Sequence, residues 1–423
     1  MMAFKKAASV VLVIGLIGAL TGGSFLLDVS GDGMTVSEDI KHGTNPFSAD
    51  TAGNGLTDYE EVYEYGTDPT EEDTLGNGLS DGQEVELGLD PTKEDTLGNG
   101  LTDYEEVEIH GTDPLKEDTL GNGLTDYEEV EIHGTDPTAE DTLGNGLADA
   151  KEVELGLDPT KEDTAGNGLA DTKELEIGTD PTAYDTSGDG LPDGLLYELE
   201  DADPLEKNVL VQVSYQEEID VPESELEEVI EAFDNAPVEN EHGDDGINLV
   251  LWMDDEPKGE PTTVTVTGYA LNFYEEEFSM QGYGFHHSYF VHEAAQGDDN
   301  SVIGFAVYQN DGTVVEKTDR EEQMAANFMH EIGHQIGLWP EVYEGIDSHD
   351  LDWGEYPSLM NYNRPIDCTA GTCQVDYQYQ YSDGEGFDDW GYIEENLADN
   401  APDTSAYDEN GELPEDDDEQ KDE

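Results

Sequence analysis

A block of 22 or 23 residues recurs from Asp28 to about Asp201, starting at Asp28, Asp50, Asp73, Asp95, Asp118, Asp141, Asp163 and Asp185. Periodicity of this size specifies an array of one small unit, in which each copy meets only its neighbours. A typical copy reads Asp50-Thr-Ala-Gly-Asn54-Gly55-Leu56-Thr-Asp58-Tyr-Glu-Glu61. A unit this short cannot bury a core of its own, so something other than apolar packing must hold it. The following Tyr-Glu-Glu-Val-Glu stretch predicts a short helix, and Gly-Thr-Asp-Pro ends it.

The fixed acids suggest what holds it. Laid against the calcium loop of an EF-hand, Asp50 takes position 1, Asn54 position 5 and Gly55 the tight turn at 6. Leu56 offers its carbonyl at 7, Asp58 takes position 9 and Glu61 position 12. The register recurs in Asp73, Asn77, Asp81, Glu84 and in Asp95, Asn99, Asp103, Glu106. It continues through Asp118, Asn122, Asp126, Glu129 and Asp141, Asn145, Asp149, Glu152, then Asp163, Asn167, Asp171, Glu174. Calcium takes six to eight hard oxygens, and a loop that reverses at glycine turns alternate side chains inward. The outer copies differ: Asp185, Asp189 and Asp193 keep the pattern but Leu196 stands at position 12, and the Asp28 copy degenerates at position 9. Several structural calcium ions are expected, and they would supply the folding energy; the competing reading is a solvated acidic spacer.

The array resembles thrombospondin type 3 repeats, whose unit is D-x-D-x-D-G-x-x-D. The departure is consistent, because position 3 is Leu or Ala in the six central copies. Each loop thereby loses a carboxylate, which implies weak binding unless neighbouring copies share ions.

Fourteen basic residues face 106 acidic ones, a net charge of −92. Such self-repulsion opposes compaction unless salt screens it or cations saturate it. The acid is spread over the whole chain, which favours a halophilic setting. With no basic patch, nucleic acid is excluded as a partner. Met1 to Gly23 places Lys5 and Lys6 before an apolar run from Ala7 to Leu20, the pattern of a secretory signal. Export to the cell exterior or a cell-surface layer is expected, with no membrane association after signal removal. The domains are then 1–23 signal, 24–206 repeats, 207–400 a second domain and 401–423 a disordered acidic tail.

In the second domain, strands are predicted at 209–215, 247–253, 263–267, 287–292 and 302–308, with a helix at 224–233. His286, His287 and His292 read as polar edge-strand residues rather than a second metal site. A further helix is predicted through Phe328-Met-His330-Glu331-Ile-Gly-His334-Gln-Ile-Gly337, with Met324, Phe328 and Ile332 on one apolar stripe. His330 and His334 lie one turn apart on one face, so they can hold a zinc ion, and Glu331 can activate water there.

Downstream comes Tyr356-Pro-Ser358-Leu-Met360-Asn-Tyr362. With the histidine motif, it resembles the Met-turn of the metzincins, zinc peptidases with a methionine turn beneath the metal. The resemblance implies a multidomain chain ending in an α/β (α+β) catalytic domain. It puts Met360 under one catalytic zinc and makes Tyr362 a helper at the oxyanion. In metzincins a third His or Asp follows; that position here is Pro340. Asp347, after a turn at Gly345, is the first candidate for third ligand, His349 the second and Glu341 the third. Cys368 and Cys373, close together in an exported chain, are expected to form a local disulfide. The expected activity is a secreted metalloendopeptidase acting on proteins or peptides, with Glu331 as general base. The alternative is an inactive calcium-binding surface or adhesion protein, for which Pro340 is the best argument.

Overall fold

The computed structural model describes residues 26–240, 243–269, 278–295, 304–307, 311–340, 342–343, 346–347, 358–360, 366–369, 372–375, 380–381, 387–410 and 413. The signal segment 1–23 lies outside them. Among the described residues no helix is long and apolar enough to cross a membrane. The chain divides into two compact units, residues 1–161 and 162–423.

The first unit holds six repeats. Each opens with an aspartate that caps its own turn: Asp73 Oδ1 accepts from Gly76 N at 2.7 Å and Oδ2 from Gly78 N at 2.9 Å. A short helix follows, as at Asp81–Leu87, which stops where Gly88 turns left-handed at φ 83. In the copies that run 23 residues, those starting at Asp50, Asp95 and Asp118, the last turn widens, as where Gly66 N and Thr67 N both bond to Glu61 O. One leucine per copy is buried in most copies, as at Leu56, Leu79, Leu101 and Leu124. Neighbouring copies meet closely, since a Cβ on Gly78 would lie 2.7 Å from the Tyr104 ring of the next copy.

The second unit carries the last two repeats and a five-stranded sheet of order β2-β1-β4-β7-β6. Its strands are β1 (Lys207–Tyr215), β2 (Ile247–Met253), β4 (His286–Val291), β6 (Gly304–Val307) and β7 (Gly312–Glu316), while β3 (Thr263–Thr265) and β5 (Glu293–Ala295) pair separately. The first, second, fourth and seventh strands run parallel, and β6 is an antiparallel edge. Val209, Val211 and Val213 on one face of β1 pack against α1 (Glu223–Asp234) and α2 (Glu321–Gln335). Leu210, Tyr289, Val291 and Val314 on the other face pack with Leu191, Leu195 and Leu196 of the last repeat. A parallel sheet covered on both faces reads as a near-continuous apolar run, as β1 does.

Three expectations are corrected. Strand 263–267 stops at Thr265, and Val266–Gly268 forms a helical turn. His286 and His287 are not on an edge, since β4 lies in mid-sheet and both are buried. The His287 ring is satisfied there by Tyr269 Oη at Nδ1 and Ser214 Oγ at Nε2, each at 2.7 Å. Burial pushes both imidazoles down to about 3, which keeps them neutral. Third, the acidic tail is ordered at its start. Ser405–Asn410 is helical and Tyr407 is buried, its hydroxyl 2.6 Å from where Gly168 would carry a Cβ. In the Asp163 copy Tyr407 thus covers the glycine that the next repeat's tyrosine covers at Gly78 and Gly100, because the last repeat has Gly194 at the tyrosine's position.

Candidate metal centre

α2 is buried from Met324 to Gln335, so His330, Glu331 and His334 stand in a packed interior and not on a surface stripe. The parallel strand β7 feeds this helix back across the sheet. The helix ends where Gly337, at φ 110, reverses the chain. That reversal lets Leu338 O accept from His334 Nδ1 at 2.6 Å, while Leu359 O accepts from His330 Nδ1 at 2.9 Å. A carbonyl can only accept, so each Nδ1 carries a proton; Nε2 donates to Asp347 while it is protonated and offers a lone pair once it has lost that proton. Trp339 stacks on the His334 ring at 4.8 Å and further fixes it.

Both Nε2 atoms face Asp347. Its Oδ1 lies 3.0 Å from His330 Nε2 and 3.4 Å from His334 Nε2. Asp347 is held in the left-handed region at φ 56, with its amide donated to Met360 O at 2.7 Å. A non-glycine residue there stores strain that its surroundings must sustain, a frequent mark of a functional position. Burial would raise the Asp347 carboxyl, but the hydrogen bonds from His330 and His334 outweigh it and hold the group well below the usual carboxylate range. Burial likewise opposes charge on His334, yet the bond to Asp347 and the charge of Glu331 leave its pKa raised.

Met360 is fully buried beneath this helix turn. A Cβ on Gly333 would lie 2.7 Å from Met360 Sδ and 2.8 Å from Tyr381 Oη, so only glycine fits between the two histidines. Glu331 is 6% exposed and borders the edge strand, its Oε1 2.8 Å from where Gly304 would carry a Cβ.

Two imidazole nitrogens and one carboxylate oxygen lie within 4.8 Å of one another, a donor set that could hold a metal ion. The Leu338 and Leu359 carbonyls supply the outer hydrogen bonds that orient such ligands. Of the three candidates for third ligand, the structure brings Asp347 to the histidines. Glu341, His349 and Tyr362 lie outside the described residues. Cys368 and Cys373 sit opposite each other in the antiparallel pair β8 (Ile366–Thr369) and β9 (Thr372–Val375). The carbonyl partners escaped sequence reasoning because no side chain announces them.

The repeat acids fall into sets. Positions 5 and 12 meet within each copy: Asn54 Nδ2 donates to Glu61 Oε1 at 2.8 Å, Asn77 to Glu84 at 3.1 Å and Asn99 to Glu106 at 2.9 Å. The same bond joins Asn122 to Glu129, Asn145 to Glu152 and Asn167 to Glu174. Position 1 caps the turn. The position-9 carboxylate takes bonds from residue 2, as Asp58 does from Thr51 N and Oγ1 at 2.7 and 2.8 Å. Asp103, Asp126, Asp149, Asp171 and Asp193 repeat that bond. Burial pushes Glu61, Glu84, Glu106, Glu129 and Glu174 up to about 7. Asp189 departs from the pattern. Its Oδ2 accepts from Asn208 N and Nδ2 at 2.7 and 3.0 Å, which ties the last loop to β1.

The family model of the bacterial TSP3 repeat matches residues 55–71, 78–94, 100–117, 123–139 and 168–183. The array thus contains calcium-binding repeats of that kind. The copies beginning at Asp28, Asp141 and Asp185 lie outside the matched segments. No curated protein matches the chain.

Proposed function

We propose that the C-terminal unit is a zinc-dependent endopeptidase of metzincin type, exported on an acidic calcium-binding array. One observation carries the reading: His330 Nε2 and His334 Nε2 converge on Asp347 Oδ1 at 3.0 and 3.4 Å while each Nδ1 is locked to a carbonyl. These three residues would hold the metal. Zinc bound there supplies Lewis acidity toward water and a peptide carbonyl. Glu331, next to His330 on the helix, takes the proton from the attacking water and returns it to the departing amine. Met360 and Gly333 set the depth of the histidine pair, and Trp339 and Asp347 restrict its rotation. Pro340, which stands where metzincins place their third ligand, is accommodated because Asp347 reaches the site from farther along the chain. A disulfide between Cys368 and Cys373 would brace the segment beyond the Met-turn.

Glu331→Gln tests the assignment. It keeps the carboxylate's shape but not its basicity, so zinc content should stay that of the parent while hydrolysis of an unstructured protein such as casein falls by about 10²–10⁴-fold. A variant that hydrolyses casein at the parent rate removes Glu331 from the mechanism. A parent that binds no zinc favours the inactive calcium-binding alternative.

A further inference from the structure

One segment near the C-terminus touches both the last repeats and the turn behind the metal centre. It runs as α3 (Asp389–Asn396), a helical turn at Ala398–Asn400 and α4 (Ser405–Asn410). Trp390, Ile393 and Leu397 root its first part in the core that carries α2, with Trp390 edge-on to Phe233 at 5.4 Å and to Tyr381 at 4.9 Å. Its second part is pinned through the backbone: Gly284 N donates to Asp403 O at 2.9 Å and Ala406 N to Gly282 O at 2.8 Å.

Along its length the segment lies on glycines of positive φ: Gly337 at 110, Gly190 at 91 and Gly168 at 90. A Cβ on Gly337 would lie 2.8 Å from Asn400 Nδ2 and 3.5 Å from the Tyr392 ring. One on Gly190 would lie 2.5 Å from Ala401 Cβ and 2.9 Å from Ala398 O, and one on Gly168 2.6 Å from Tyr407 Oη. Gly190 and Gly168 are the position-6 glycines of the last two repeats. Gly337 is the reversal that brings Leu338 O to His334 Nδ1. Asn400 is itself held, since its Nδ2 donates to Asn396 O at 2.8 Å. Glycine has the widest conformational freedom of any residue, so the Leu338 carbonyl is only as well placed as the cover on Gly337 makes it. A carbonyl that orients a metal-binding histidine acts on metal affinity without touching the ion.

We propose that residues 389–407 form a strap that couples the last two repeats to the metal centre, with Asn400 as a positioning residue for His334 and Tyr407 as the far anchor. The proposal rests on the metal-centre reading and adds what controls that centre. Asn400 acts through Gly337 and Leu338, which carry its hold to the His334 ring. Over Gly168, Tyr407 takes the seat that Tyr104 takes over Gly78 and Tyr127 over Gly100, so the strap occupies the place of a further copy. Loosening the strap at either end frees the Gly337 turn and, with it, the imidazole. The metal centre thereby depends on whether the two repeats beside it are folded.

Titrating the full chain with zinc, and with cobalt(II) in its place, tests this, because the visible absorption of cobalt follows ligand geometry and not fold stability. Asn400→Ala and Tyr407→Ala should each weaken zinc by about 10–100-fold and shift the cobalt band. The double variant should lose no more than the larger single, because both residues act in one chain of contacts. Leu249→Ala, a core truncation on β2, is the control: it should lower the melting temperature and leave affinity and band unmoved. Circular dichroism checks that each variant is folded during titration, and the half-buried Asn400 carries the test if Tyr407→Ala does not fold. Asn400→Ala with the parent's zinc affinity and cobalt band overturns the proposal, whatever its melting temperature. So do losses that add in the double variant, which would make the two residues independent. A parent that takes up neither metal fails differently, removing the metal-centre reading itself.

Discussion

In the repeats, the buried leucines of each copy sit among carboxylates that are 0% exposed, such as Asp81 and Glu84 beside Leu79. In the α/β unit, His330, His334 and Asp347 rest on a core in which Phe233, Phe290, Phe328 and Ile332 are all buried completely. The two regions therefore hold acids out of water at different expense. The array raises its position-12 glutamates to about 7, a conformation that disfavours its own charges until a cation arrives. The α/β unit keeps Asp347 ionised, because two imidazoles already face it. Metal would be a folding partner in the first region and a guest in the second.

Chelation should split the molecule along that line, and the effect should be the largest of those expected here. Calcium removal is expected to lower the melting temperature of the array steeply and to open it locally, since small units without a core depend on the binding energy of their ions. The sheet and α2 should persist. Limited proteolysis in chelator should then cut within residues 26–161 and spare the α/β core. Equal cutting in both regions would break the comparison.

A smaller effect is expected from Gly333→Ala. Its Cβ would meet Met360 Sδ and Tyr381 Oη inside van der Waals contact, and overpacking of this kind costs about 1–3 kcal/mol. Thermal unfolding should show that loss and zinc should bind more weakly, while calcium stoichiometry stays that of the parent. A change in calcium binding would show that the two regions are not independent.

The smallest effect concerns protons. Glu61, Glu84, Glu106 and Glu129 move from 4.5 to about 7 on folding. A folded carboxyl with a raised pKa binds more protons than its unfolded counterpart, so stability falls as pH rises through that window. In chelator the array should melt higher at about pH 5 than at about pH 8. With calcium present the trend should reverse, because protons compete for the same oxygens. A higher melting temperature in chelator at the alkaline end would contradict the burial argument.

The sequence carried these regions unevenly. Repeat register is legible because a covalent period of 22 or 23 residues repeats the same Asp, Asn, Gly and Glu. At the histidine motif, side-chain chemistry gave His330, Glu331 and His334, and the turn after Gly345 favoured Asp347. The Leu338 and Leu359 carbonyls depend on backbone paths that no residue type encodes. His286 and His287 looked like edge residues because polarity suggests solvent; Ser214 and Tyr269, distant in sequence, satisfy His287 inside the sheet. Tyr407 was masked by the acidic composition around it.

Zinc stoichiometry of the purified full chain, measured by plasma mass spectrometry beside His334→Ala and Asp347→Ala, tests the central claim most directly. The account predicts about one zinc per parent chain, with loss from the histidine variant and at least weaker retention in the aspartate variant. A parent without zinc, or zinc that survives His334→Ala undiminished, would contradict it.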